Sequence, residues 1–180
     1  ITLNSSGFAS VTAAMVNDGS FDNCAIDTMF LSDTTFSCDS VGGNAVTLYV
    51  IDESGNIDSA NAIVTVVDSV PVELNTYSSI DVYLNGGGFF ELDSSIFDSA
   101  STDNCGIVTM TLSQDTVWCA DAPSTNVTVT AMDAYGNIST SNVLVNVWDT
   151  ILPTVLAIDT LGYLNTNGQF VLTASMIDDG

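Results

Sequence analysis

The sequence predicts an all-β fold made of tandem β-sandwich units of roughly 80 residues, arranged as an elongated array. Two observations lead to this prediction. The chain repeats itself at a constant shift of 81 positions, and inside each repeat short runs of alternating apolar and polar residues lie between Gly-, Asn- and Asp-rich turns. About seven such runs in a unit of this length are typical of an immunoglobulin-like Greek-key sandwich.

The repeat is easiest to see at two Asp-Asn-Cys sequences, SFDNCAIDTM at 20–29 and STDNCGIVTM at 101–110. The two copies match without a gap from residue 1 to about residue 69, and a third copy begins near Leu164. A period this long indicates repeated domains, because solenoid units are shorter. The predicted domains are an immunoglobulin-like repeat at 1–70 that is incomplete at its N-terminal end, a complete repeat at 71–152, and the truncated start of a third repeat at 153–180.

Two strands near the end of each unit carry the clearest pattern. VTLYVID at 46–52 and VTVTAMD at 127–133 alternate, which puts Val46 and Leu48 on the buried face of the first copy. The turn sequences ESGN and AYGN follow, and each predicts a hairpin to a second alternating strand. Short segments that contain proline, SVP at 69–71 and TILP at 150–153, then predict stiff linkers between units.

The charge of the chain is entirely acidic. Lys, Arg and His are absent, whereas 19 Asp and 3 Glu give a formal net charge of −22. A nucleic-acid partner requires a basic surface and is excluded, and direct pairing with anionic lipid is disfavoured for the same reason. No apolar run approaches the roughly 18 residues of a membrane span, so no direct membrane insertion is expected. Each carboxylate must be solvated, hydrogen-bonded or neutralised by a bound cation.

Enzymatic activity is not expected. Without His or Lys the chain can form neither a Ser-His-Asp triad, nor a Cys-His pair, nor a Schiff base. Paired carboxylates could act as acid and base in a glycosidase, but here the acids recur at the same place in each unit. That recurrence suits architecture better than catalysis.

Each complete unit holds two cysteines with thirteen residues between them, Cys24 and Cys38, then Cys105 and Cys119. We expect the disulfides Cys24–Cys38 and Cys105–Cys119, each closing a short loop and contributing about 3 kcal/mol. Free buried thiols are the alternative, and a zinc site is disfavoured because its ligands would be more closely spaced. Disulfides place the chain outside the cytoplasm.

The acidic residues fall at the loop before the first cysteine, at the hairpin turn and at the linker. Because these loops share one end of such a sandwich, we expect Asp68 to meet Asp98, Asp103 and Asp133 at one junction, and Asp149 to meet Asp178 and Asp179 at the next. Converging carboxylates without a basic residue predict Ca²⁺ sites, the alternative being turn formation alone. The candidate metal ligands are Asp18, Asp22, Asp52, Asp68, Asp98, Asp103, Asp133, Asp149, Asp178 and Asp179.

Asp-Asn-Cys-Gly, a second cysteine, Val-Thr-Val-Thr-Ala-x-Asp-Ala-x-Gly-Asn and a closing Val-x-Val-x-Asp-x-x-x-Pro together resemble a hyalin-type (HYR-like), immunoglobulin-like repeat. The second unit carries every element, and the first has Ala25 in place of the glycine. Such repeats occur in tandem in very large surface adhesins of Bacteroidota, including gliding-motility filaments. The resemblance implies an extracellular, bacterial cell-surface protein. Its partners would be neighbouring repeats of the same long chain and surface glycans or other cells.

A second resemblance concerns modification. Nine Asp residues precede Ser or Thr in a pattern similar to the O-glycosylation motif of Bacteroidota, which implies a glycoprotein. The candidate acceptors are Thr28, Thr34, Ser40, Ser59, Ser69, Ser99, Thr116, Thr150 and Thr160.

The predicted function is a structural and adhesive segment of a large surface filament, with junctions stiffened by calcium. The alternative is a carbohydrate-binding module of a secreted protein, because aromatic side chains can stack on sugar rings. The aromatic residues concerned are Trp118, Trp148, Tyr83 and Tyr135.

Overall fold

The structure, a computed structural model, describes residues 1–178. Residues 1–67 and 72–148 form two successive β-sandwiches, each with its own apolar core. The strands of the first are β1 (Phe8–Ser10), β2 (Ile26–Leu31), β3 (Thr35–Ser37), β4 (Gly42–Asp52) and β5 (Ile57–Val66). Those of the second are β6 (Ser79–Tyr83), β7 (Phe89–Glu91), β8 (Ile107–Leu112), β9 (Thr116–Trp118), β10 (Ser124–Asp133) and β11 (Ile138–Trp148). The all-β prediction is confirmed.

Helical structure is limited to single turns. One four-residue helix, α1, covers Ala13–Val16, and 3₁₀ turns cover Cys38–Ser40, Ser94–Ile96, Cys119–Asp121 and Ala174–Met176. None of the helices in residues 1–178 is long and apolar enough to cross a membrane.

The two sandwiches share one topology. Strands β2, β4 and β5 form an antiparallel sheet in that order, opposite the small sheet β1–β3. In the second unit β8, β10 and β11 form the same sheet, opposite β7–β9, and β6 adds a parallel strand beside β11. A parallel bridge between Thr2 and Val67 takes the place of that strand in the first unit.

The structure has five and six strands per unit where about seven were expected. In the second unit the first strand is reduced to two isolated bridges, Glu73 with Thr102 and Thr76 with Asp98.

The core follows the predicted alternation. Val46 and Leu48 are buried on β4, and their equivalents on β10, Val127 and Val129, are fully buried, as is Ala131. Their side chains point to the inner face because successive residues of a strand alternate between faces. This alternation holds both copies of the hairpin in the same register and therefore sets their turns at the same end of each unit.

A third copy of one turn lies in residues 153–178. At Asn4, Asn85 and Asn165 the side-chain oxygen accepts two backbone amides, two and four residues further along the chain. In each case the backbone amide of the asparagine also donates to the carbonyl four residues ahead, at 2.8–3.0 Å. An isolated bridge between Ala157 and Asp178 repeats the bridge between Thr76 and Asp98.

Candidate metal centre and cross-link between the units

Three aspartates from two units meet where the first sandwich ends and the second begins. Asp68 follows β5, Asp103 lies in the loop before β8, and Asp133 ends β10, beside a break in the β10–β8 register that is typical of a β-bulge. One carboxylate oxygen from each lies within 4.8 Å of the other two. Asp68 and Asp133 are buried, with only 5% and 2% of their surface exposed.

Asp133 is held by its own hairpin turn. Its Oδ1 accepts the backbone amides of Tyr135 and Asn137, both at 2.8 Å, and its Oδ2 accepts the Asn137 side-chain amide at 2.6 Å. Burial raises the pKa of Asp133, but hydrogen bonds from Asn137, Tyr135 and Gly136 outweigh burial and keep that pKa below its usual value. The side chain is therefore a preformed carboxylate anion near neutral pH.

Asp103 and Asp68 each use one oxygen for the backbone. Asp103 Oδ1 accepts the amides of Cys105 and Gly106, both at 2.9 Å. Asp68 Oδ1 accepts the amide of Val70 at 3.2 Å and the side-chain amide of Asn104 at 3.0 Å. The second oxygen of each carboxylate is buried and has no hydrogen-bond partner within residues 1–178.

Asn104 completes the cluster and joins the units. Its side-chain nitrogen donates to Asp68 and, at 3.3 Å, to the carbonyl of Asn4, so both of its donors face the first unit. Its Oδ1 is the third buried oxygen without a partner in the described part of the chain. Buried acceptors without donors are costly, and three at one place point to a common ligand.

The donor set fits a hard divalent cation. Three carboxylates and one amide oxygen are the ligand types that Ca²⁺ prefers. Zinc is disfavoured because the chain has no His and because the nearby cysteines, Cys38 and Cys105, are bonded to each other. Since the chain has no basic side chain, a bound cation would balance the like charges that the hydrogen bonds leave at this junction. Asp68, Asp103, Asp133 and Asn104 are the residues that would hold it.

The structure brings together three of the four acids expected here, and the expectation for Asp98 is wrong. Its Oδ1 accepts the amides of Ser101 and Ala100, at 2.8 and 3.3 Å, so this carboxylate closes a local turn. The hydrogen bonds from Ser101 lower the pKa of Asp98. Turn formation alone, the alternative to a metal site, therefore describes Asp98.

The remaining candidates form no group of three acids within residues 1–178. Asp149 is exposed and accepts the amide of Ile151 at 2.9 Å. Asp178 lies in the bridge to Ala157, and Asp179 lies outside the described residues. Asp18, Asp22 and Asp52 line one open cavity at the far end of the first unit.

The predicted disulfides Cys24–Cys38 and Cys105–Cys119 are wrong. Cys38 is bonded to Cys105 of the next unit, with 5.5 Å between the Cα atoms, while Cys24 and Cys119 are free thiols. The physical reason is the length of a strand. Cys24 precedes β2 and Cys38 follows β3, so the two lie at opposite ends of the sandwich, and a strand such as β2 spans about 20 Å. A disulfide requires Cα atoms within about 7 Å.

Direct hydrogen bonds also cross the junction. The Tyr135 hydroxyl donates to the carbonyl of Cys38 at 2.7 Å, and the Asn137 side chain lies 3.5 Å from the carbonyl of Asp68. Tyr135 and Asn104 were not predicted as junction residues. Both lie within two positions of an aspartate or a cysteine that recurs in the repeat, and the sequence could have indicated them on that ground.

The aromatic residues fall at three separate places. Tyr83 and Trp148 are register partners on β6 and β11, and about half of each side chain is exposed. Beside them, Asp81 accepts the side chains of Asn146 and Trp148, at 2.8 and 3.2 Å, which lowers the pKa of Asp81. Trp118 instead contacts Phe89, with ring centroids 5.2 Å apart.

Of the nine candidate acceptor hydroxyls for sugar, none is buried. Thr28, Thr34, Ser59, Ser69, Ser99, Thr150 and Thr160 are exposed, whereas Ser40 and Thr116 are half-buried. Glycosylation at these positions stays a prediction.

Comparisons with known proteins give distant structural similarities. No protein-family model matches the sequence, and no curated protein matches it. A solved structure of mouse clustered PcdhgC3 EC1-3 is 16% identical, with a TM-score of 0.36, over 64% of this chain and 48% of that one. This chain thus spans about half the length of that protein fragment.

Two further solved structures are similar at the same level. Fibronectin(III)-like modules of Clostridium thermocellum CbhA are 12% identical, with a TM-score of 0.31, over 85% of this chain and 92% of that one. A three-immunoglobulin fragment of titin, domains I67–I69 in an E-to-A mutated variant, is 13% identical, with a TM-score of 0.30, over 88% and 60%. Similarities this distant do not assign the chain to a family.

Proposed function

We propose that this chain is a structural and adhesive segment of a large extracellular surface protein of bacteria, in which calcium stiffens the junction between successive repeats. The observation that carries the proposal is the group of buried oxygens of Asp68, Asp103 and Asn104 that lack partners in the described chain, beside the buried Asp133. The ligands come from two units, so a cation bound there would fix the angle between them.

Three further features support this function. The disulfide fits an oxidising, extracellular setting. The acids lie between repeats and hold turns, which suits a non-enzymatic role. The resemblance of the motifs to hyalin-type repeats favours a surface adhesin of Bacteroidota, of the gliding-filament kind, whose partners are neighbouring repeats, surface glycans and other cells. Sugar on the Asp-Ser/Thr positions would add to the intact mass of the native protein.

The experiment that tests the proposal is calcium titration of the chain by calorimetry, together with thermal melting in calcium and in chelator. We expect one calcium site, at the junction of the two complete units, and a higher melting temperature with calcium, because a ligand that binds only the folded, aligned state stabilises that state by mass action. At a concentration of 100 times Kd the gain would be about 2.7 kcal/mol.

Asp68→Asn should remove most of this binding, because it takes one buried charge from the centre. The matched control is Asp149→Asn, which changes the equivalent aspartate of the second unit, where the side chain is exposed. The proposal fails if the chain binds no calcium, or if both substitutions weaken binding equally.

Carbohydrate binding is the second candidate function, and the pair of Tyr83 and Trp148 favours it. An exposed aromatic pair beside a carboxylate and an amide, Asp81 and Asn146, offers stacking together with hydrogen bonding. Glycan-array binding that is lost in Trp148→Ala but kept in Trp118→Ala would support this function. The absence of any such difference would leave the junction role alone.

A further inference from the structure

The free thiol Cys119 has the same surroundings as the bonded Cys38. Each cysteine begins a three-residue 3₁₀ turn, Cys38–Ser40 or Cys119–Asp121. The Cys38 sulfur lies 3.9 Å from the carbonyl oxygen of Gly7, and the Cys119 thiol donates to that of Gly88 at 3.5 Å.

The two glycines are also equivalent. Gly7 and Gly88 have positive φ angles of 77° and 76°. A Cβ on either would come within 2.9 Å of the neighbouring cysteine sulfur. The second unit therefore presents its cysteine in the geometry in which the first unit has already formed a bond.

The free thiol Cys24 likewise has the surroundings of the bonded Cys105. The amide of Cys24 donates to Asp22 at 2.7 Å, as the amide of Cys105 donates to Asp103 at 2.9 Å. Behind it, Asp52 accepts two backbone amides and an asparagine side chain at 2.7–2.8 Å, which repeats the turn of Asp133. The first unit holds this arrangement although Cys24 has no bonded partner, so the arrangement is preformed.

We propose that Cys119 and Cys24 are the two unjoined halves of a cross-link identical to Cys38–Cys105. Cys119 would bond the first cysteine of a further unit of this repeat, and Cys24 would bond the second cysteine of another. The ligand of each half is thus a second copy of the repeat, and the result is a line of units joined covalently head to tail. This inference deepens the proposed function and rests on its repeat architecture.

The cross-link needs a two-electron oxidant, for which oxidised glutathione serves. The Cys119 thiolate attacks one sulfur of the glutathione disulfide and releases one glutathione thiolate. The Cys24 thiolate of a second copy then attacks the Cys119 sulfur of this mixed disulfide and releases the second. Two protein thiols are oxidised to one disulfide, one glutathione disulfide is reduced to two thiols, and the two protons pass to the solvent or the released thiolates.

The two halves differ, and this difference sets the symmetry of assembly. A unit presents Cys38 or Cys119 at the end where the chain leaves and Cys24 or Cys105 at the opposite end, so contact between copies is heterologous and does not close. Pairing should therefore be Cys119 with Cys24, and neither Cys119 with Cys119 nor Cys24 with Cys24.

Two variants of the full 180-residue chain test this, Cys24→Ser and Cys119→Ser, each of which keeps Cys38 and Cys105. Each is incubated alone with the glutathione couple, and then the two are mixed and followed by non-reducing electrophoresis and peptide mapping. We expect each variant alone to remain at 18.8 kDa, the mixture to give a species of twice that mass that grows no further, and the unsubstituted chain to give a ladder.

The peptide that joins the two copies should contain Cys119 and Cys24. The inference is overturned if either variant dimerises alone as readily as in the mixture, and equally if the mixture stays monomeric while Cys38–Cys105 is intact. Repeating the mixture in chelator separates the inference from the calcium proposal. Heterodimers that form in chelator would show that the cross-link does not depend on calcium, and the metal site would then be refuted only by a titration in which the chain binds no calcium.

Discussion

The hydroxyl of Tyr135 donates a 2.7 Å hydrogen bond to the carbonyl of Cys38, so that a hairpin turn of one unit contacts the cysteine that the other unit contributes to the cross-link. The equivalent position of the first unit is Ser54, which is too short to make this contact. The tyrosine is thus a feature of this junction in particular, and it can be tested separately from the repeat.

Tyr135→Phe should lower the free energy of unfolding by about 1 kcal/mol, because it removes one hydrogen bond to a backbone acceptor. Chemical denaturation followed by tyrosine and tryptophan fluorescence measures the loss. Tyr83→Phe is the control, since that side chain lies on the outer surface of β6. Equal effects of the two substitutions would mean that the contact contributes nothing to stability.

Peptide mapping of the monomeric chain, without reductant and before any treatment with oxidised glutathione, should find Cys38 linked to Cys105, with Cys24 and Cys119 alkylated as free thiols. Replacing both bonded cysteines by serine should destabilise the chain by up to about 4 kcal/mol, because the disulfide closes a loop of 67 residues. In small-angle scattering, the same double variant should have a larger maximum dimension in calcium, and a smaller or more broadly distributed one in chelator. A map that shows Cys24 joined to Cys38 would contradict the structure.

Asn104→Ala should weaken calcium binding at least tenfold, which corresponds to about 1.4 kcal/mol. The substitution removes a buried oxygen and the amide that orients Asp68. Asn23→Ala changes the equivalent residue of the first unit and should leave the titration unchanged. Comparable losses in both variants would indicate that the asparagine acts through its own loop and not through the metal.

Acid should weaken the second unit through Asp133. Its pKa is below the usual value in the folded state, so the stabilisation is present above about pH 4 and is lost as the pH falls through the folded pKa. Asn137→Ala removes a donor to this carboxylate, raises its pKa and should shift the acid-unfolding midpoint to higher pH. Circular dichroism in chelator measures the midpoint, and an unchanged midpoint would refute the assignment.

The fold and the meeting of three of the four junction aspartates could be predicted from sequence because both follow from periodicity. Alternation places Val46 and Val127 in equivalent cores, and the repeat then puts Asp68, Asp103 and Asp133 at one end. Asp98 could not be predicted in the same way. Its carboxylate accepts backbone amides of its own loop instead of facing the junction. Whether such a turn forms depends on backbone angles that the repeat pattern does not show.

The cysteine pairing failed for a different reason. A short separation in sequence suggested a local bridge between Cys24 and Cys38, but a strand separates the two ends of a sandwich by more than a disulfide can span. Asking at which end of the unit each cysteine lies would have favoured Cys38 with Cys105. The direction of the strands decides at which end of a unit each cysteine lies, and the number of residues between two cysteines does not show this.

The cross-link has a mechanical consequence. When the chain is pulled from its termini, the covalent path runs from residue 38 directly to residue 105, so the segment between them, a sequence separation of 67, bears no tension until the bond is reduced. At roughly 3.4 Å per extended residue, this withholds about 230 Å of contour length. Asp68, Asp103 and the linker lie within that shielded segment, whereas Asp133 lies outside it. A force-extension trace should therefore gain this length only after reduction. In an array whose successive units are all joined in this way, the load within the second unit would pass only through the fourteen positions from Cys105 to Cys119.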